Sequence, residues 1–284
     1  MLGAPAFAAR AALQTGCGLV VLAAPEPILP QCLVIAPGAT GLGLPVGPDR
    51  QIAPSAGAQR LASLGRAVHA YVVGPGMGSD FTVQQLVVQL LAQDEVPVVL
   101  DADGLNALSV LPEFHLDLRA ATVMTPHPGE FARLAAALSL EHDLTTDAGR
   151  ANGAATLARR LGVIVLLKGA RTVVSDGLRT WVGRCGNAAL ATAGSGDVLS
   201  GILGSVIAQF HPRGLAALAL RSPLAAARAG ALAGGHLDLY DCARLAATIH
   251  GEAAGAWSAR HGEAGLLAEQ LADEVPHVLQ RMRQ

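Results

Sequence analysis

Short runs of Val, Ile and Leu recur along this chain at strand length, each closing on a glycine or polar cluster and leading into helical spacing. The first is Gly18-Leu19-Val20-Val21-Leu22-Ala23, followed by His69 to Gly74, Val96 to Asp101, Ala121 to Thr125 and Gly162 to Lys168. Between them, segments such as Phe81 to Gln93 and Asp147 to Leu161 repeat apolar residues at helical intervals. Apolar strands alternating with helices predict a mostly parallel sheet flanked by helices on both faces, an α/β fold. Thr172 to Ser175 and Arg179 to Val182, joined around Asp176-Gly177, read as a hairpin. Ala6 to Leu13 reads as an opening helix, and after Asp197 the pattern turns almost wholly helical.

Of the 284 residues, 51% are hydrophobic but only 3% aromatic, so Ala, Leu and Val must build the core, which suits helices packed closely on a sheet. No Pro/Ser-rich linker divides the chain, so residues 1–284 read as a single domain. A formal net charge of −2 supplies no electrostatic reason to expect nucleic acid or an anionic membrane as partner. The longest apolar runs are strand-sized, too short to span a bilayer. Cys17, Cys32, Cys185 and Cys242 show no CxxC spacing, and with no secretory signal the expectation is a reduced, cytoplasmic protein. An Ala/Leu/Arg-rich stretch from Arg213 to Gly234 carries Arg221, Pro223 and Arg228, which exclude a membrane span; it reads as an insertion near 211–234.

In open α/β sheets ligands bind beyond the carboxyl ends of the strands, and the unusual residues cluster there. Ala193-Gly194-Ser195-Gly196-Asp197 opens an apolar helical pattern. A helix start offers unpaired N–H groups and positive dipole character, and small residues let an anion approach them closely. A carboxylate there would repel phosphate, so Asp197 is expected to act on a substrate hydroxyl, the alternative being a flexible glycine loop with Asp197 as helix cap. Gly74-Pro75-Gly76-Met77-Gly78 reads either as a tight turn or as backbone approached by a ligand. Asp101-Ala102-Asp103-Gly104-Leu105-Asn106 offers carboxylates for magnesium or a polar substrate, with Asp103 or Asn106 as a helix cap the alternative. His127 stands between Pro126 and Pro128, which fix its direction, while Glu130 could cap the next helix. Lys168-Gly169-Ala170-Arg171-Thr172 ends a strand with a lysine able to meet phosphates, unless that lysine is only a solvent-facing hairpin edge. The P-loop pattern, GxGxxG with its downstream acid, HExxH and Cys/His clusters are all absent, and no metal ligands are assigned.

Taken together and in order, these motifs resemble the ADP/ATP-dependent NAD(P)H-hydrate dehydratases, a family of ribokinase-like fold. The match runs from Gly74-Pro75-Gly76-Met77-Gly78 through Leu100 to Asn106, Thr125 to Glu130 and Leu167 to Thr172, and then Gly186-Asn187 on to Asp197, with His250-Gly251 also fitting. The resemblance implies repair of NADH or NADPH hydrated at C6 of the nicotinamide ring, as the S epimer: a nucleotide phosphorylates the hydroxyl, and loss of phosphate restores the double bond. It implies Asp197 as general base, placed by geometry rather than by a raised pKa; Ala4, Gly78, His127 and Asp197 as contacts of the hydrated cofactor; and Lys168, Gly169, Ala170, Arg171, Thr172 and Gly196 as contacts of the nucleotide. Gly194 and Ser195 would join Gly196 in cradling the transferring phosphoryl group, with Gly76, Asp101, Asp103, Asn106, Glu130 and Asn187 in support. Mg²⁺, ADP (less commonly ATP) and a homo-oligomer, a tetramer, are further implications.

Two departures from the family pattern stand out. Relatives begin earlier, with a strand and a Gly-Ser turn ahead of the equivalent of Gly3-Ala4, so the first strand is expected to be missing and the domain short at this end. The stretch near 211–234 is the second. The competing readings are a ribokinase-like kinase of a thiazole or pyrimidine alcohol, and an inactive nucleotide-binding homologue.

Overall fold

The structure is a computed structural model that describes residues 1–65, 68–211 and 236–284. It opens with helix α1 (Gly3–Gln14); β1 (Val21–Pro25) and β2 (Thr40–Leu44) then pair in parallel across α2 (Leu29–Ile35). These two strands form a sheet of their own, apart from the main one. The apolar run at Gly18 to Ala23 therefore does not extend the main sheet, as the alternation had suggested. Its partner β2 carries two glycines and no Val or Ile, which is why the sequence pattern passes over it.

After α3 (Pro54–Ala62) the main sheet is laid down in sequence order. Its strands are β3 (Tyr71–Val73), β4 (Val98–Leu100), β5 (Thr122–Met124), β6 (Ile164–Leu167), β7 (Val173–Ser175) and β8 (Thr180–Val182), each beside the next. The first four are parallel, in a register that sets Tyr71 opposite Val98 and Val98 opposite Thr122. The hairpin β7–β8 closes the edge antiparallel, as its Asp-Gly turn predicts. The connecting helices are α4 (Phe81–Leu91), α5 (Ala102–Ser109), α6 (Pro128–Ala137) and α7 (Asp147–Leu161); α8 (Ser195–Phe210), α9 (Leu239–His261) and α10 (Ala268–Met282) follow the hairpin.

Strand residues alternate between two apolar cores, which explains the unbroken Val/Leu runs. Val98, Leu100, Met124 and Leu167 pack with Leu86, Leu105, Leu134 and Leu157 on one face. Val99, Val123 and Leu166 pack with Val198, Ile202 and Ile249 on the other. The second face holds α1 and α8 very close together: a Cβ on Gly201 would stand 2.1 Å from the Ala8 carbonyl oxygen. Small residues at this contact are what the Ala-rich, aromatic-poor composition supplies. The stretch expected as an insertion near 211–234 falls, apart from His211, outside the described residues. Among the described residues no helix is long and apolar enough to cross a membrane.

Candidate active site

Four parallel strands end on the same edge, and their C-terminal loops bring the predicted motifs together. Val73 leads into Gly74, a buried residue at φ 120°. A Cβ there would lie 1.8 Å from the Asp101 carbonyl oxygen, so this glycine exists to let the β3 and β4 loops touch. Gly78 differs: it is exposed, at φ 80°, and nothing stands nearer to its Cβ position than Asp80 Oδ2 at 3.9 Å. Its N–H donates to Asp103 Oδ2 at 2.8 Å. Asp103 is thus spent on the glycine loop, and Asn106 Oδ1 accepts from Arg133 Nε at 2.9 Å. Neither caps α5, contrary to the structural alternative the sequence left open. Ala4, buried on α1, lies against Gly76, its Cβ 3.1 Å from where a side chain on that glycine would begin.

At the end of β4, Asp101 is buried with both oxygens engaged. Oδ1 accepts from Lys168 Nζ at 2.6 Å, and Oδ2 accepts from Ser200 Oγ at 2.6 Å. Lys168, at the end of β6, also lies 3.6 Å from Glu130 Oε2. It is therefore no solvent-facing hairpin edge. Burial works against its charge, but Asp101 and Glu130 more than compensate, and its pKa is raised. Ser200 drew no attention in the sequence, although a serine inside so apolar a helix needs a buried partner.

Glu130 and His127 form a reciprocal cap at the start of α6. His127 Nδ1 accepts from the Gly129 and Glu130 N–H groups, and the Glu130 carboxylate accepts from His127 N at 2.7 Å. An accepting Nδ1 places the ring proton on Nε2, which lies 3.4 Å from Glu130 Oε1. The imidazole is exposed while its orientation is fixed by the two N–H groups on Nδ1.

The loop Lys168 to Thr172 is held by α7. Arg150 donates through Nη2 to the carbonyl oxygens of Lys168 at 3.1 Å and Arg171 at 3.3 Å, and the Arg171 side chain pairs with Asp147. A side chain on Gly169 would collide with the Arg150 guanidinium, its Cβ 2.4 Å from Nη2. Nothing in the sequence marks Arg150, because its hydrogen bonds go to backbone carbonyls 18 and 21 residues away.

Helix α8 begins under a left-handed Gly194 (φ 85°), with no side chain capping its N–H groups. Ser195 is tied from behind: its carbonyl oxygen lies 2.9 Å and its Oγ 3.2 Å from Nε2 of buried His250 on α9. A Cβ on Gly196 would come 3.5 Å from Lys168 Nζ and 4.0 Å from Asp101 Oδ2, so the buried ion pair lies directly beneath this turn. Asp197 follows in the first turn. Burial, aided by the charges of Asp101 and Asp103 and opposed by Lys168, pushes its carboxyl up to about 6. The expectation that geometry alone would place this group is corrected: its surroundings raise its basicity as well. Asn187 caps a short 3₁₀ turn, accepting from Ala189 N at 3.1 Å.

A helix start without a side-chain cap, a carboxylate of raised basicity in its first turn and an exposed imidazole of fixed orientation are groups that suit phosphoryl transfer to an alcohol. A profile of the NAD(P)H-hydrate dehydratase family matches residues 1–277. This chain belongs to that family. It is 33% identical over 282 residues to the ADP-dependent (S)-NAD(P)H-hydrate dehydratase of Xanthomonas campestris, covering 99% of this chain and 84% of the relative. It is 39% identical over 281 residues to the bifunctional NAD(P)H-hydrate repair enzyme Nnr of Salinibacter ruber, covering 97% of this chain but 45% of that protein. The chain thus spans a little under half the length of such bifunctional relatives. Among solved structures, the ADP/ATP-dependent NAD(P)H-hydrate dehydratase of Bacillus subtilis, co-crystallised with ATP and Mg²⁺, superimposes with a TM-score of 0.71 at 26% identity, covering 99% of this chain and 87% of its own. A hydroxyethylthiazole kinase from Pyrococcus horikoshii shares the ribokinase-like fold at a TM-score of 0.56 and 16% identity, which bears on architecture alone.

Proposed function

We propose that this chain dehydrates hydrated NADH or NADPH at the expense of a nucleotide, ADP in the first instance. The observation that carries the reading is Asp197 in the first turn of α8, next to uncapped N–H groups and with its carboxyl pushed up to about 6. At pH 7 this carboxylate is ionised yet basic enough to take a proton from an alcohol as it is phosphorylated. The C6 hydroxyl of the hydrated ring loses its proton to Asp197 while its oxygen forms a bond to the terminal phosphorus of the nucleotide. ADP then leaves as AMP, or ATP as ADP. In the second stage the C6–O bond breaks with its electrons, expelling phosphate, and a proton leaves C5, which restores the ring double bond.

The N–H groups of Gly194 and Gly196 would stabilise the transferring phosphoryl group, joined by that of Ser195 once it gives up its 3.3 Å hydrogen bond to the Thr192 carbonyl oxygen. The main chain of the loop from Lys168 to Thr172, held by Arg150, would carry the rest of the nucleotide, while the Lys168 side chain is turned inward to Asp101. Gly78 and His127 would face the hydrated cofactor, with the Nε2–H of His127 as a donor, whereas Ala4, expected as a contact, is buried and would support that surface from behind Gly76. Mg²⁺ is expected to arrive on the nucleotide phosphates. Among the described residues no three His, Cys, Asp or Glu side chains form a metal cluster, and Asp101 is already engaged on both oxygens. The assembly expected from the resemblance is a tetramer, which light scattering would measure.

The test is direct. Purified protein is mixed with hydrated NADH, Mg²⁺ and either nucleotide while absorbance at 340 nm is followed. Recovery of NADH with ADP supports the reading; folded protein that restores none with ADP or ATP overturns it.

A further inference from the structure

The ammonium of Lys168 is committed inward. It lies 2.6 Å from Asp101 Oδ1 and 3.6 Å from Glu130 Oε2, and its side chain is only 19% exposed. Asp101 is locked in turn by Ser200 Oγ, whose helix carries Asp197. The pair sits against the underside of Gly196, between the strand ends and the first turn of α8. A lysine reaching for phosphates would need to break a buried, hydrogen-bonded ion pair and strand Asp101 without a counter-charge, a strongly unfavourable change.

We propose that Lys168 is a positioning residue, the internal counter-ion of Asp101, and that this pair sets the charge Asp197 experiences while nucleotide phosphates are left to backbone N–H groups. The inference deepens the proposed function and rests on it for the identity of Asp197 as the base. The charged groups whose fields reach Asp197 are Asp101 and Asp103 from the β4–α5 junction, Lys168 from the end of β6, and the amino group of Met1 ahead of α1. Glu130 on α6 faces Lys168, and His250 on α9 lies behind Ser195. Of these, Asp101 and Lys168 press on Asp197 in opposite senses.

Opposite senses make the test specific. The Asp197 carboxyl is titrated by ¹³C NMR in the nucleotide-free protein, and ADP binding is measured by calorimetry with Mg²⁺. Lys168→Met is expected to move the Asp197 midpoint up and Asp101→Asn to move it down, each by about one pH unit. Lys168→Met is expected to change the ADP dissociation constant by less than about threefold, whereas a direct charge-assisted phosphate contact would cost tenfold or more. The double variant K168M/D101N strands no charge, and compared with D101N alone it reports the lysine's effect even where K168M does not fold. Midpoints that stay fixed, or that move the same way in K168M and D101N, overturn the proposal. So does a loss of ADP affinity of tenfold or more in K168M. The titration needs no turnover, so failure of the wild-type protein to restore NADH would count against the function and leave this result readable.

Discussion

His250 Nε2 lies 2.9 Å from the carbonyl oxygen of Ser195, so a buried imidazole on α9 holds the first turn of α8 in place. Its burial pushes the pKa down to about 4, from an ordinary value of 6.5. The unfolded chain takes up a proton on this histidine before the folded one does. Stability from this group is therefore complete above about pH 6.5 and drains as pH falls toward 4, by about 3 kcal/mol in all. Urea unfolding from pH 7 to pH 4 is expected to show this loss, and His250→Gln, less stable at pH 7, should show a shallower decline.

Asp197 has the opposite linkage. Its folded pKa stands above the unfolded one, so its ionisation disfavours the fold as pH rises from about 4 to 6. Asp197→Asn is expected to raise the melting temperature at pH 8 by about 2 °C or more, with the gain vanishing near pH 4. The same variant should lose turnover by a factor of about 100 or more while retaining ADP binding. Near-normal turnover would remove Asp197 as the base.

The pH dependence of kcat/KM carries the same signature. With Asp197 required in its ionised form, activity is expected to fall about tenfold per pH unit below about 6. A rate profile from pH 4.5 to 8, corrected for unfolding at the acid end, checks this.

Arg150 provides a prediction on the nucleotide side. Removing its guanidinium frees the carbonyl oxygens of Lys168 and Arg171 and loosens the loop between them. Arg150→Ala is expected to weaken ADP binding by about tenfold, the equivalent of one charge-assisted hydrogen bond, with KM for the hydrated cofactor unchanged. Parallel losses for both substrates would indicate general damage instead.

Two glycines of one loop should separate in their tolerance. Gly74→Ala forces a Cβ into the Asp101 carbonyl and is expected to cost about 3 kcal/mol or more, enough to threaten folding. Gly78→Ala meets only the strain of a left-handed residue, about 1 kcal/mol, because its surroundings are open. Its expected cost lies in KM for the hydrated cofactor. Chemical denaturation of both variants, with kinetics on the second, makes the comparison.

Much of this was readable from residue order. The β4, β5 and β6 runs are apolar on both faces, Asp147–Leu161 is helical over the predicted span, and Asp-Gly turns the β7–β8 hairpin. These features follow from local rules of periodicity and turn chemistry. β2 escaped because a glycine-rich edge strand has no such pattern, and β1 was drawn to it rather than to the main sheet by a pairing that only long-range contacts reveal.

The site divides in the same way. That Gly194 to Asp197 opens a helix, and that polar clusters follow the strands, is determined by the sequence itself, since each needs only its neighbours. Which carboxylate Lys168 meets, that Ser200 secures Asp101, that Arg150 holds a loop 18 residues away and that Asp197 is basic were decided by tertiary structure. Ion pairing and desolvation act through space, over distances that chain order does not record, and they act most strongly where packing has removed the water.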